Sequence, residues 1–187
     1  LVAQRTAALI RAKDDAEAHK WFQRASAAGD VGGTMLLARA LFFGVPEAGV
    51  APNRDEAIRL LRKGAESGGV AAMIALGARL GEANKNDPEQ VVWYTKAAEL
   101  GNSDAMHNLG VCCENGHGVE KSAETAVKWY TKAAELGHSR AMNNLGVCYK
   151  NGDGVEKSAE TAVKFYTKAA ELGDAGGMNN LGVCYYN

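Results

Sequence analysis

From Gly101 onward the chain alternates two patterns of apolar positions. In the first, Met106, Leu109, Gly110 and Cys113 recur at i, i+3, i+4 and i+7, the spacing that gathers them on one face of a 3.6-residue helix. Ser103 is placed to cap this helix and Asn115-Gly116 to stop it. In the second pattern the stripe is Ala126, Trp129, Tyr130, Ala133 and Ala134, with Ser122 at the N-cap, Glu124 beside the positive end of the dipole, and Leu136-Gly137 as the stop. The prediction is a pair of helices, A and B, joined by GHGVEK, whose glycines supply a left-handed turn. Gly110, Ala133 and Ala134 are expected to let the two backbones approach closely, with Trp129 and Tyr130 filling the remaining space.

The pair then recurs. Met106, Met142 and Met178 fall 36 residues apart, as do Gly110, Gly146 and Gly182, and Trp93, Trp129 and Phe165 keep the same period. A fixed period of this size means a solenoid, in which each unit buries its apolar face by stacking on its neighbours. Upstream the register survives while the residues change. Trp21 lies in a helix B, AEAHKWFQRASAAG, which leaves Leu1 to about Arg11 as a partial helix A, and Leu37, Leu41 and Gly44 match Leu109, Cys113 and Gly116. Trp21 to Leu60 spans 39 residues, so the loop GVPEAGVAPN is three longer, with Asn53 capping the next helix B; Leu60 to Trp93 spans 33, so GEANKNDP is three shorter, with Pro88 in the first turn that follows. Both length changes fall between helices, where a solenoid tolerates them. The expected fold is therefore all-α: a solenoid of about five antiparallel helix pairs plus a terminal unpaired helix, about eleven helices in all. It is expected to form one domain over 1–187, with degenerate repeats over 1–100 and regular 36-residue repeats over 101–187, the last incomplete.

Charge alters the picture by exclusion. Twenty-one Lys and Arg against 22 Asp and Glu leave a net charge of −1, which gives no electrostatic footprint for a phosphate backbone or an anionic membrane. No run of about 18 apolar residues is present to insert into a bilayer. Cys112, Cys148 and Cys184 occupy one repeat position, while Cys113 stands where later copies have Tyr149 and Tyr185. Equivalent positions in stacked repeats lie on the order of 10 Å apart, beyond the ~7 Å Cα limit for a disulfide. The cysteines read as small buried apolar residues, compatible with a reducing, cytoplasmic compartment. The chain opens on Leu rather than Met and its last repeat stops at Asn187, so it is expected to be a piece of a longer polypeptide, with any signal or transit segment outside it. Met178, Leu181 and Tyr185 would then be covered by further repeats or by a subunit of a larger assembly.

Catalysis finds no pattern. His19, His107, His117 and His138 lack H-x-x-x-H or H-E-x-x-H spacing, Cys112-Cys113-x3-His117 lacks the two-plus-two geometry of a zinc site, and no G-x-S-x-G, Walker-type or G-x-G-x-x-G run occurs. The expectation is a non-enzymatic chain without metal or cofactor. Glu124 and Lys128, at i and i+4, read as a solvated outer face.

The informative stripe is on helix A. Asp104, His107, Val111 and Glu114 share the face opposite Met106 and Leu109, and their copies are Arg140, Asn143, Val147 and Lys150, then Asn179, Val183 and Tyr186. Earlier repeats present Met35, Arg39, Phe42, Ile74 and Ala78 there. This face is expected to line the inner groove, polar in the C-terminal half and apolar in the N-terminal half, where Met35, Phe42 and Ile74 either meet a ligand or pack on the irregular first helix. Asparagine both donates and accepts, which suits the main chain of an extended peptide. Asn108, Asn144 and Asn180 are assigned to structure, and His107, Asn143 and Asn179, with Arg140 and Lys150, to binding.

Leu145-Gly146-x-x-Tyr149 and Ala162-x-x-x-Tyr166 resemble the tetratricopeptide signature, with two residues more than the usual 34. The unit A-x-x-N-L-G-x-x-Y-x-x-G-x-G-V followed by A-V-K-W-Y-x-K-A-A-E-L-G is similar to the Sel-1-like repeat. The match is strong from Gly101 to Asn187, recognisable from Arg54 to Gly101 and degenerate before that. The resemblance implies a right-handed α–α superhelix and an adaptor that binds a protein or an extended peptide in multiprotein complexes. The alternatives are an architectural subunit of a large complex and an enzyme that binds or hydrolyses penicillin-like compounds. Cysteine-rich members of that family, for which penicillin binding or hydrolysis has been suggested, carry a disulfide in each repeat, with cysteines where this chain has Ala133 and Met142.

Overall fold

The computed structural model describes the backbone of residues 2–186 and the side chains of 14–46 and 48–186. Among these residues it is all-helical: α1 (Val2–Ala27), α2 (Val31–Phe43), α3 (Arg54–Glu66), α4 (Val70–Ala83), α5 (Pro88–Glu99), α6 (Ser103–Asn115), α7 (Ala123–Glu135), α8 (Ser139–Asn151), α9 (Ala159–Glu171) and α10 (Ala175–Tyr186). The helices number ten rather than the expected eleven. The partial helix A at the start and the helix B around Trp21 are one continuous α1, because nothing between Val2 and Ala27 is Gly or Pro and no residue there stops a helix. The side-chain packing expected of Leu1 to about Arg11 lies outside the described residues.

The chain divides into two compact units, 1–79 and 80–187, with the division inside α4. In the first, α1 packs on α2 and α2 on α3 around Leu37, Ala38, Ala57, Leu60, Leu61, Leu76 and Met73. The longer loop is absorbed by a short 3-10 turn at Pro46–Ala48 and a bridge between Val45 and Val50. It nevertheless returns to a fixed point, since the Asn53 N–H donates to the Leu41 carbonyl at 2.6 Å. The second unit makes the same tie twice: Ser122 N–H to Cys113 O and Ser158 N–H to Tyr149 O, both at 2.8 Å. That bond fixes where helix B begins relative to the end of helix A in these three loops, whereas in the shorter loop before α5 the Asp87 N–H donates to Asn84 O instead.

In the second unit each helix packs on the next from α5 to α10, and α8 also touches α10. Tyr130 and Tyr166 are fully buried with Leu109 and Leu145. Gly110 and Gly146 are required by those rings: a Cβ at either glycine would run into the tyrosine ring of the paired helix B. The close approach is therefore of ring to backbone, a correction to the backbone-on-backbone contact expected at Gly110. The loop glycines Gly118 and Gly154 carry positive φ, 67° and 70°, and a Cβ at each would strike the main chain at Asp87 or Ala123, where the preceding helix B begins.

The helix starts follow a rule that the apolar pattern did not show. Asn102, not Ser103, caps α6, its Oδ1 accepting from Ala105 N–H at 2.9 Å, and Ser103 is the first helical residue. His138 caps α8 and Asp174 caps the start of α10 in the same way. The B helices are capped by Asn53, Ser122 and Ser158, with Asp87 ahead of Pro88. The four cysteines are free; Cys112, Cys113 and Cys148 are buried and Cys184 half-buried. No helix among the described residues is long and apolar enough to cross a membrane.

Candidate functional site

The polar face of the A helices in the second unit is built on hydrogen bonds between neighbouring repeats. Asn180 Nδ2 donates to Asn143 Oδ1 at 2.8 Å, and one repeat earlier Asn144 Nδ2 lies 3.3 Å from His107 Nε2. Each bond joins residues 37 apart, one more than the repeat period, because the asparagine of one A helix reaches back to the adjoining position of the previous one. The residues assigned to structure and those assigned to binding are thus partners of each other. Asn143 and His107 are half-buried, and each accepts from the next repeat.

Two histidines stack at the first of these junctions, with ring centroids 4.6 Å apart and planes at 19°. His107 Nδ1 lies 3.3 Å from Asn108 Oδ1, so the proton sits on Nδ1 and Nε2 accepts from Asn144. His138 takes the opposite tautomer: Nδ1 accepts from Ala141 N–H at 3.1 Å to cap α8, and Nε2–H donates to Asp104 Oδ1 at 3.1 Å. Burial, then the neighbouring His138, holds His107 below the ordinary histidine value, with Asn108 and Asp104 pulling the other way and Arg140 adding to the fall. Behind the pair the Tyr130 hydroxyl donates to Glu114 Oε2 at 2.8 Å, and burial together with that carboxylate pushes the phenol well above its usual range.

Around this network the remaining predicted residues take different places. Arg140, Lys150 and Asn179 are exposed, Val111 and Val147 are half-buried beside the network, and Tyr186 is 92% exposed on α10. Glu114 belongs to the Tyr130 bond as well as to the groove face. Met35 and Phe42 lie in the first unit, half-buried in the wall of a separate 210 Å³ cavity, with Arg39 and Arg79 alongside. Glu124 and Lys128 have their counterpart in an exposed ion pair of the next repeat, Glu160 with Lys164 at 2.6 Å. Burial pushes the Cys112 and Cys148 thiols to about 11, so neither is a thiolate near neutral pH. Sequence reasoning placed Asp104 on the groove face but missed His138, its partner. Its signal was its place after Gly137, the stop of a helix B, where Asn102 and Asp174 likewise cap the helix that follows.

The match to known proteins follows this architecture repeat by repeat. A family model for the Sel1 repeat matches residues 10–30, 33–69, 70–102, 103–138, 139–174 and 175–187. Among solved structures, the chain is 32% identical to c5321, a protective antigen of uropathogenic Escherichia coli with an SLR fold, with a TM-score of 0.80 over 90% of this chain and 36% of that one. A Sel1 repeat protein from Oxalobacter formigenes is 30% identical, with a TM-score of 0.77 over 87% of this chain and 65% of that one. The rat protein DAP3-binding cell death enhancer 1 is 34% identical over 77 residues, 41% of this chain and 15% of the relative. The chain thus spans less than two thirds of each of these proteins. Sel1 repeat proteins are in general non-enzymatic scaffolds for protein interaction. With six matching repeats, and with solenoid relatives that share its helix pairs, the chain belongs to the Sel1 repeat family.

Proposed function

We propose that the chain is a non-enzymatic adaptor, one continuous repeat domain that binds a protein or an extended peptide along the A-helix face of its regular repeats. The observation that carries this is the division of labour on that face. Asn143–Asn180 and His107–Asn144 satisfy one another between repeats, while Arg140, Lys150, Asn179 and Tyr186 stand exposed beside them, with the half-buried Val111 and Val147 between. An ordered polar row flanked by free donors is suited to the main chain of a peptide, since its groups are already positioned and lose little entropy on binding.

The test is selection of peptides from a random display library on the full chain, followed by affinity measurement against an Arg140→Glu, Asn179→Ala, Tyr186→Ala triple variant. Selected peptides should bind the native chain and lose about tenfold or more on the variant, about 1.4 kcal/mol, while its melting temperature is unchanged. Peptides that bind both proteins equally would move the site off this face. The second reading is an architectural subunit of a larger complex. Light scattering showing a clean monomer at high concentration would count against it.

A further inference from the structure

The unit formed by 1–79 departs from the repeat pattern at the end of α2. Phe42 occupies the position that Glu114 and Lys150 take in the regular repeats, and Phe43 follows it, 61% exposed. The two rings meet edge to face with centroids 5.1 Å apart. Two guanidinium groups lie on the same ring: Arg79 is 4.5 Å and Arg54 5.1 Å from the Phe42 centroid, and Arg79 is also 5.3 Å from that of Phe43. Each cation–π contact is favourable, yet drawing like charges to one ring raises the positive potential there.

Two hollows flank this cluster and share Leu36 and Arg39 between them. One, of 210 Å³, is walled by Met35, Phe42, Leu61 and Ala75; the other, of 400 Å³, includes Phe22 and Phe43. Among the described residues the lining of both contains arginine and no carboxylate. Two acids of the same unit are engaged in local contacts: Glu56 pairs with Arg59 at 2.6 Å, and Asp30 caps α2. On a chain whose net charge is −1, three arginines thus converge on its exposed aromatic patch.

We propose that this patch docks an acidic segment of a protein partner in which carboxylates alternate with aromatic or leucine side chains. Apolar side chains enter the two hollows, and a carboxylate between them meets Arg39, whose planar fork can hold both of its oxygens. The charge decides the occupant: a basic or neutral apolar segment would fill the hollows but meet the guanidinium groups unfavourably. A nucleic acid would satisfy the arginines and leave the apolar walls unused. The inference shares with the proposed function the premise that the chain binds protein, and it concerns the other unit.

Fluorescence anisotropy on the full chain tests it, with a fluorescein-labelled peptide alternating Glu with Phe and Leu, its counterpart with Lys for Glu, and a single-stranded oligonucleotide as competitor. The acidic peptide should bind at least tenfold more tightly than the Lys peptide. Arg39→Glu and Phe43→Asp should each weaken it about tenfold or more, with Arg39→Lys retaining part of the affinity and the melting temperature unchanged in all three, since both residues are exposed. Equal binding of the two peptides, binding indifferent to Arg39→Glu, no binding of either, or complete displacement by the oligonucleotide would overturn the proposal. The triple variant at Arg140, Asn179 and Tyr186 should leave this affinity unchanged. If that variant alone abolishes it, this site fails and the A-helix face stands; if Arg39 alone governs it while library selection on the other face fails, the reverse holds.

Discussion

The repeats 103–138 and 139–174 are near copies, yet at one buried position they do opposite things. Tyr130 and Tyr166 fill the same slot over Gly110 and Gly146, both fully buried. The Tyr130 hydroxyl donates to Glu114, whereas Lys150 replaces that acid in the next repeat and the Tyr166 hydroxyl is buried without a hydrogen-bond partner among the described residues. The difference teaches that the repeat is specified by its apolar template. The ring, the glycine beneath it and the leucine beside it are kept, while the polar chemistry around the ring changes from one copy to the next.

If the template is shared, damage to it should be equally severe in both copies. Leu109→Ala and Leu145→Ala, each at a fully buried site, should cost about 2–5 kcal/mol. Chemical denaturation reads this, and a difference of more than twofold between the copies would break the equivalence. Gly110→Ala and Gly146→Ala should follow at about 1–3 kcal/mol, the range for overpacking, because the added carbon meets a ring that has nowhere to move.

The sharper comparison is between the tyrosines. Tyr130→Phe removes a hydrogen bond to a carboxylate and should cost about 1.5–3 kcal/mol. Tyr166→Phe removes a buried hydroxyl with no partner among the described residues, so it should be neutral or stabilising, and Lys150→Glu should stabilise the native chain by restoring the acceptor. Equal losses in the two Phe variants would mean that Tyr166 finds a partner in solution.

The smallest effect expected is on pH. His107 is held below its ordinary value, so the unfolded chain binds more protons than the native one as pH falls below about 6.5. The stability that His107 contributes is complete above that value and declines as pH drops from there toward its native value. Asn143 stands at the same position one repeat on and does not titrate. His107→Asn should therefore flatten the difference between urea midpoints at pH 7 and pH 5. An unchanged pH dependence in that variant would place its origin elsewhere.

How much of this was legible follows from what a period can carry. Helix pairs, the stops at Gly116 and Gly137, the caps Asn53 and Ser122 and the placement of Pro88 depend on residues within one or two turns, and the sequence shows them directly. The fusion of the first two segments into α1 was hidden because a degenerate repeat was expected to keep its break, although no Gly or Pro enforces one. The bonds from Asn144 to His107 and from Asn180 to Asn143 were hidden for a different reason. They connect positions offset by one from the period, so aligning the repeats position by position does not pair them. Assigning asparagines by repeat position separated partners that the fold brings together.

The loop glycines Gly118 and Gly154 press bare main chain against main chain at Asp87 and Ala123. The heavy atoms nearest to where a side chain would start at either glycine are all main chain. Substitution on the A-helix face can retune what each regular repeat displays while these two contacts stay as they are. On the proposed reading, a ligand spanning successive A helices would meet a graduated scale and be admitted or refused by whether its own groups fall on the marks.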